Sequence, residues 1–301
     1  MPGSGMSILT SLDHVVIAVR DLAAATDVYV RLLGRRPSWR GEHASYGTAN
    51  TLFRLANTYV ELLSPTGSGP FADRLVPWLA TRGEGLFALA FGTVDADECA
   101  RELRSRGLSA PGPIDGTGRE STSGVERRWR NVMLPEAETR GVTIFAIEHR
   151  SAPELLPPAE PIDGAASAIS ACDHVVVNTS EPDRASELYG SKLGLRLALD
   201  KTFPDWGMRL LFFRVGGVTI ELAAPLAASG SDAGDRLWGI SYRTPDAAAA
   251  RARLCALGFE VSEVRNGRKP GTRVCTVQGE PCGVATLLIE PSDRPPRDHA
   301  A

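Results

Sequence analysis

The chain has 301 residues, about twice the length of a typical domain, and its 43% hydrophobic and 23% charged residues are ordinary for a globular protein and exclude a disordered one. Its 33 Lys+Arg against 36 Asp+Glu give a formal net charge of −3, which excludes the basic surplus expected of a nucleic-acid-binding surface. No apolar run is long enough to cross a bilayer and the first residues lack an export signal, so we expect a cytoplasmic protein without membrane partners.

In chain order, the first half of the sequence predicts two βαβββ modules. The first contains a β-branched strand at 14–19, an amphipathic helix at 21–33 that is closed by Gly34, and strands at 36–39, 49–55 and 58–63. After a Gly- and Pro-rich break at 64–70, the second contains a strand at 86–92, a helix at 96–106, and strands at 127–134 and 142–148.

Both modules recur in the second half of the chain. Asp13-His-Val-Val is repeated as Asp173-His-Val-Val, an offset of 160 residues, and the same offset relates Glu61 to Glu221. Smaller offsets of 151 and 142 later in each half indicate two loop deletions in the second copy. The sequence therefore predicts an α+β fold of four βαβββ modules paired into two tandem domains. We place the domains at 8–150 and 171–292, with a Pro-rich linker at 151–170 and a tail at 293–301.

Three ionisable residues lie in otherwise apolar strands of the first copy: His14, Glu61 and Glu148. Such groups are costly to bury unless they are paired or bind a metal ion, and one imidazole with two carboxylates suits Mn, Fe, Ni, Zn or Mg. The second copy has His174, Glu221 and Glu290 at the matching positions. The residues alone leave open the plainer interpretation, a hydrogen-bonded structural histidine and exposed glutamates.

Three segments carry a resemblance to a known family: Leu12-Asp-His-Val-Val-Ile-Ala-Val-Arg-Asp-Leu, Gly47-Thr-Ala-Asn and Tyr59-Val-Glu-Leu-Leu. With the paired βαβββ order, they resemble the vicinal oxygen chelate superfamily, specifically glyoxalase-like domains of the glyoxalase, bleomycin-resistance and dioxygenase type. The resemblance covers nearly the whole chain and implies two half-open barrels, each with a cup for a divalent metal ion. It implies that His14, Glu61 and Glu148 are metal ligands, as are His174, Glu221 and Glu290, and that Glu148 or Glu61 moves a proton in catalysis.

The fifth strand departs from the family pattern, in which a metal-ligating histidine often stands near its start. Ala88 takes that position in the first copy and Gly239 in the second. An extradiol dioxygenase needs this histidine for its iron triad, so the sequence disfavours that activity.

Four further residues are candidates for substrate binding. His43 and Asn50 flank the Gly47 motif, and His43 is an alternative to the missing fifth-strand ligand. The segment 112–130 contains Arg128 and Trp129, which suit an anionic or planar substrate if the segment is a mobile lip. The alternative is an exposed strand edge guarded by charges.

The resemblance favours a divalent-metal-dependent lyase or isomerase of the glyoxalase type that acts on a small oxygenated metabolite. The main alternative is a metal-free protein that binds or sequesters a small molecule in apolar cups, for which the candidate lining residues are Trp39, Tyr46, Phe53 and Trp206. In a third interpretation the second domain only covers the first. In each case we expect a monomer or homodimer whose partner is a small molecule.

Overall fold

The computed structural model describes residues 7–227 and 234–292, and these residues form two mixed eight-stranded sheets with helices packed outside them. The predicted α+β fold of paired βαβββ modules is confirmed. The predicted tail at 293–301 lies outside the described residues.

The first sheet closes into a barrel in the strand order β1-β4-β3-β2-β6-β7-β8-β5. Its strands are β1 (Ser11–Ala18), β2 (Trp39–His43), β3 (Thr48–Arg54), β4 (Tyr59–Pro65), β5 (Gly85–Gly92), β6 (Ile114–Glu120), β7 (Glu126–Met133) and β8 (Thr143–His149). The helices of this half are α1 (Leu22–Leu33), α2 (Ala72–Arg82) and α3 (Ala96–Ser105).

The second sheet has the order β10-β11-β12-β9-β13-β16-β15-β14, and within the described ranges it remains open. Its strands are β9 (Ala171–Asn178), β10 (Arg196–Phe203), β11 (Met208–Val215), β12 (Val218–Pro225), β13 (Arg236–Arg243), β14 (Arg265–Asn266), β15 (Arg273–Val277) and β16 (Ala285–Glu290). Helix α4 (Pro182–Ser186) continues as a π-helical segment over Glu187–Lys192, and α5 is Ala247–Ala256.

The repeat seen in the sequence is a repeat of topology. β1 pairs with β4 in parallel and with β5 antiparallel, and β9 pairs in the same way with β12 and β13. Helix α1 begins and ends as predicted, because the Asp21 side chain accepts a hydrogen bond from Ala24 N and Gly34 adopts a left-handed φ of 65°.

Two elements of the first barrel were not predicted: α2 and β6. The segment 112–130 is not a free lip, because β6 and β7 form a hairpin within the barrel and β6 pairs with β2 at Glu42 and Arg119. The sequence of β6, Ile-Asp-Gly-Thr-Gly-Arg-Glu, has glycines at its buried positions and therefore lacks the apolar alternation by which strands are recognised. The strand expected at 36–39 begins only at Trp39.

The two halves share one large apolar core outside the barrel lumen, which contains the fully buried Tyr29, Phe53, Tyr189 and Tyr242. The segment between the halves lies along the first sheet, where Ala159 N donates to Arg54 O over 2.9 Å. No described helix combines the length and apolarity needed to span a membrane.

Candidate functional site

The interior of the first barrel is a cavity of about 650 Å³ that opens to solvent. Alternate residues of each strand face it, because successive side chains of a strand point to opposite sides of a sheet. Its wall is largely aromatic, with Trp39, Tyr46, Tyr59, Phe71, Phe87, Trp129 and Phe145. Phe53, expected in the cup, instead packs in the core on the other face of β3, and Trp206 lies on the exposed surface of the second half.

His14 and Glu61 meet on the cavity wall because β1 and β4 are parallel neighbours. The Nε2 atom of His14 lies 3.4 Å from Glu61 Oε2, its Nδ1 atom lies 2.7 Å from Asp13 Oδ1, and its ring stacks on Tyr59. Burial alone lowers the pKa of a histidine, but the hydrogen bonds to Asp13 and Glu61 outweigh burial and raise the pKa of His14 to about 9. Burial likewise opposes ionisation of Glu61, but the His14 imidazolium lowers its pKa. The two side chains therefore form a buried ion pair at neutral pH.

Asn50 connects this pair to His43. Its Nδ2 atom donates to Glu61 Oε1 over 2.7 Å and to His43 Nε2 over 3.2 Å. Burial lowers the pKa of His43, so its ring is neutral, and with Nε2 accepting it donates from Nδ1 to Thr48 Oγ1. Among the described residues, the Oδ1 atom of Asn50 is buried without a hydrogen-bond partner. The same holds for the Oδ1 atom of Asn131, another residue that lines the cavity.

Glu148 does not belong to this group, which corrects the ligand set implied by the resemblance. On β8 the residues that face the cavity are Phe145, Ile147 and His149, so Glu148 points to the opposite face. There its carboxylate accepts a hydrogen bond from Ala96 N, the first residue of α3, and pairs with Arg150. Its role in the structure is to cap a helix.

Glu290 of the second copy has the same role. Its Oε2 atom accepts from Ala247 N at the start of α5 over 2.8 Å. Both copies therefore keep a last-strand glutamate that satisfies a free N–H group at a helix N-terminus.

Arg128 also points away from the cavity. Its side chain is 71% exposed and pairs with Glu126, while its neighbours Arg127 and Trp129 line the cavity. Trp129 lines the cavity, and strand alternation then places Arg127, two residues earlier, on the same face. Sequence reasoning missed Arg127, although this alternation was a signal that would have found it.

His149 is a second residue that sequence reasoning missed. It lines the cavity, and its Nε2 atom lies 3.0 Å from Asp13 Oδ2. Asp13 is thus held between His14 and His149, and these contacts outweigh burial to lower its pKa below the usual range. The sequence signal was weak, because His149 ends the strand at a position where an exposed residue is common.

The second copy repeats the pair but not its surroundings. His174 Nε2 lies 3.5 Å from Glu221 Oε2, and its Nδ1 atom lies 3.0 Å from Asp173. Ser241 Oγ lies 2.7 Å from the same Nε2 atom, whereas the residue opposite His14 on β5 is Ala90. Burial raises the pKa of Glu221, in contrast to Glu61.

The cavity residues do not fit a divalent ion held by three protein ligands. His14 and Glu61 supply two donors, whereas on the other module Ala88 stands at the expected ligand position and His149, which also lines the cavity, has its Nε2 atom 3.0 Å from Asp13. His43 does not replace the missing histidine, because Asn50 bridges it to Glu61. Across residues 7–227 and 234–292, no three His, Cys, Asp or Glu side chains are arranged to hold a metal ion.

Comparison with known families gives two matches along the chain. Residues 12–167 match the family described as glyoxalase-like domain, and residues 173–276 match the glyoxalase, bleomycin resistance protein and dioxygenase superfamily. No curated protein matches the sequence.

The chain matches several solved structures. A triple mutant of 4-hydroxymandelate synthase from Streptomyces coelicolor superposes with a TM-score of 0.66 at 15% identity, over 93% of this chain and 92% of that one. A hypothetical protein from Staphylococcus aureus has a TM-score of 0.61 at 11% identity, over 92% and 97%. Methylmalonyl-CoA epimerase from Mycobacterium tuberculosis is 27% identical over 43% of this chain and 93% of its own, with a TM-score of 0.37.

Proposed function

This chain belongs to the family of glyoxalase-like domains, and from that premise we propose that its first domain binds a small organic molecule inside the closed barrel without a divalent metal ion. The second domain supports the first through the shared core. The proposal corresponds to the metal-free alternative that the sequence left open.

The observation that carries the proposal is an aromatic cavity containing buried polar atoms without partners. Small-molecule sites combine apolar walls with a few placed polar groups, and the lining of this cavity has that composition. Oδ1 of Asn50 and Oδ1 of Asn131 are hydrogen-bond acceptors that find no donor among the described residues. A buried acceptor of this kind is costly in a protein interior, and a hydroxyl or N–H group of a ligand satisfies it.

The walls favour a flat ligand. Trp129 stands edge-on to His43 with ring centroids 5.4 Å apart, and Trp39 lies on β2, the strand that also carries His43. Both indoles pack against glycines, since a Cβ atom at Gly116 or Gly41 would lie 2.3 Å from an indole Nε1. Rings fixed in this way offer flat apolar surfaces whose ordering cost is met during folding rather than during binding.

The metal-dependent lyase or isomerase implied by the resemblance has weaker support. The 3.4 Å separation of His14 and Glu61 suits two ligands of one ion, but these groups already neutralise each other. A third donor is needed, and the imidazole that the other module contributes to the lining, His149, already contacts Asp13. The donor set therefore favours binding without metal.

The test is titration of the purified protein with 2-naphthalenemethanol, a flat neutral probe with one hydroxyl donor, by isothermal calorimetry. We expect one site per chain, and we expect Ala88→Phe to abolish binding because its ring fills the cavity. Val94→Phe is the control, since Val94 is 74% exposed outside the barrel. Absence of binding to the wild type, or binding that survives Ala88→Phe in a folded protein, contradicts the proposal.

Metal analysis tests the second half of the proposal. Protein purified without an affinity resin and then incubated with Mn, Ni, Zn or Fe should hold no stoichiometric ion. Chelator should leave probe binding unchanged. A stoichiometric ion that is lost in His14→Ala would restore the metal-dependent interpretation.

A further inference from the structure

Arg127 is a buried cation without a counter-ion, and it lines the cavity. The residue is only 8% exposed. Its guanidinium lies 5.4 Å from the centre of the Trp39 ring, and no hydrogen bond or ion pair connects it to another residue in 7–227 or 234–292. A guanidinium has five N–H donors and stays charged at any physiological pH, and the Arg127 nitrogen atoms are not among the fully enclosed polar atoms, so they remain open to an acceptor that enters the cavity.

Other partly buried arginine side chains of this fold have acceptors, which are backbone carbonyl groups for Arg35 and Arg253 and carboxylates for two others. Arg140, 13% exposed, pairs with Asp235 and Glu181, each at 3.0 Å. Arg130, 25% exposed, pairs with Asp97 at 2.7 Å. Arg127 differs from these arginines because its guanidinium has no such partner among the described residues, and its side chain lines the cavity of the first barrel.

The carboxylates nearest the cavity are already engaged. Glu61 contacts His14 and Asn50, and Asp13 lies between His14 and His149. Burial and the positive charge of Arg127 both lower the pKa of His43, so that its ring is neutral. The guanidinium of Arg127 is therefore available to pair with an anionic group of a molecule that enters the cavity from solvent.

We propose that the ligand of the first domain is a flat organic carboxylate whose anionic group is bound by the Arg127 guanidinium. This inference rests on the proposed function and adds the charge of the ligand to it. The planar guanidinium donates two parallel N–H groups to a carboxylate, and the rings of Trp39 and Trp129 adjoin the same space. The proposal makes Arg127 a specificity-determining residue and gives no such role to its exposed neighbour Arg128.

The experiment compares 2-naphthoate with 2-naphthalenemethanol, which differ in the anionic group but share the ring, by calorimetric titration at pH 7. The wild type should bind the naphthoate about tenfold or more tightly than the alcohol, since a charge-assisted bidentate contact replaces a neutral one. Arg127→Met should remove that preference, so that the variant binds the two probes with similar affinity. Arg127→Lys should retain part of it, and Arg128→Met should behave as the wild type.

Thermal unfolding without ligand separates a binding role from a structural one. Because Arg127 has no acidic partner, Arg127→Met should leave the melting temperature unchanged or raise it. A clear fall in melting temperature would show that the guanidinium stabilises the fold, contrary to the proposal. Equal binding of both probes by the wild type also overturns it while leaving the proposed function intact, whereas binding of neither probe overturns the proposed function itself.

Discussion

His14 shows how the charge of a buried ionisable residue is balanced by neighbouring carboxylates instead of a metal ion. The same side chain that suggests a ligand in the sequence lies between two carboxylates, Asp13 and Glu61, and stacks on Tyr59. Its charge is neutralised by Asp13, the preceding residue, and by Glu61 on the neighbouring strand β4. The adjacent Asp-His pair in the sequence was the signal for this arrangement, and it recurs as Asp173 and His174.

The first prediction concerns the pH dependence of stability. The pKa of His14 is raised from 6.5 to about 9, so its ion pairs stabilise the fold fully below about pH 6.5 and the contribution is lost as the pH rises through 9. The loss amounts to about 3 kcal/mol at most. Urea unfolding at pH 6 and pH 10 should show it in the wild type, whereas His14→Gln should have a flatter profile. Parallel profiles would contradict the role of His14.

The second prediction separates Glu148 from the cavity. Glu148→Ala removes the acceptor for the first N–H group of α3, so it should lower the free energy of unfolding by about 1 kcal/mol. Affinity for the naphthalene probes should not change, because the side chain lies outside the barrel lumen. Glu290→Ala is the matched variant and should have the same effect through α5. If Glu148→Ala weakened probe binding and left stability unchanged, Glu148 would have a role in the binding site and not in capping α3.

At the scale of the elements, the cavity depends on glycines at inward positions of β2 and β6. A Cβ atom at Gly116 would overlap the Trp129 indole and one at Gly41 would overlap the Trp39 indole, while one at Gly118 would lie 3.1 Å from Trp129. These glycines weaken β6 as a predicted strand, yet they create the space in which the rings lie. The same residues therefore explain both the missed strand and the shape of the site.

The third prediction tests this relation. Gly116→Ala would place a Cβ atom 2.3 Å from Trp129 Nε1, so the indole must move into the cavity or away from His43. Probe affinity should fall about tenfold, on the order of one displaced aromatic contact. Gly112→Ala is the control, since nothing lies within 4 Å of its added Cβ. The role assigned to the glycine would be wrong if the two variants bound equally well.

For the whole molecule, the two halves are joined by a polar contact as well as by the shared core. Arg140 of the first half pairs with Asp235 and Glu181 of the second, and the Asp235 side chain is fully buried. Burial raises the pKa of Asp235 although Arg140 lies 3.0 Å away. The interface therefore contains a buried acid whose charged partner is Arg140, with Thr179 as a further hydrogen-bond partner.

The fourth prediction follows from that pairing. Arg140→Met leaves Asp235 buried without its charged partner and should lower the free energy of unfolding by about 3 kcal/mol. Arg184→Met is the control, because Arg184 pairs with the same Glu181 but is 69% exposed, and it should cost less than about 1 kcal/mol. Chemical denaturation of both variants measures the difference, and equal losses would exclude a special role for the buried acid.

Whereas a common cup for His14 and Glu61 was only an implication of the family resemblance, the sequence by itself determined the tandem repeat and the βαβββ order. These features depend on local periodicity and on internal similarity, which a single chain displays. The structure decided that Glu148 and Arg128 point outward, that Arg127 and His149 point inward, and that the first sheet closes. The physical reason is strand parity: neighbouring residues face opposite sides of a sheet, and which side encloses the cavity depends on strand pairing between distant segments.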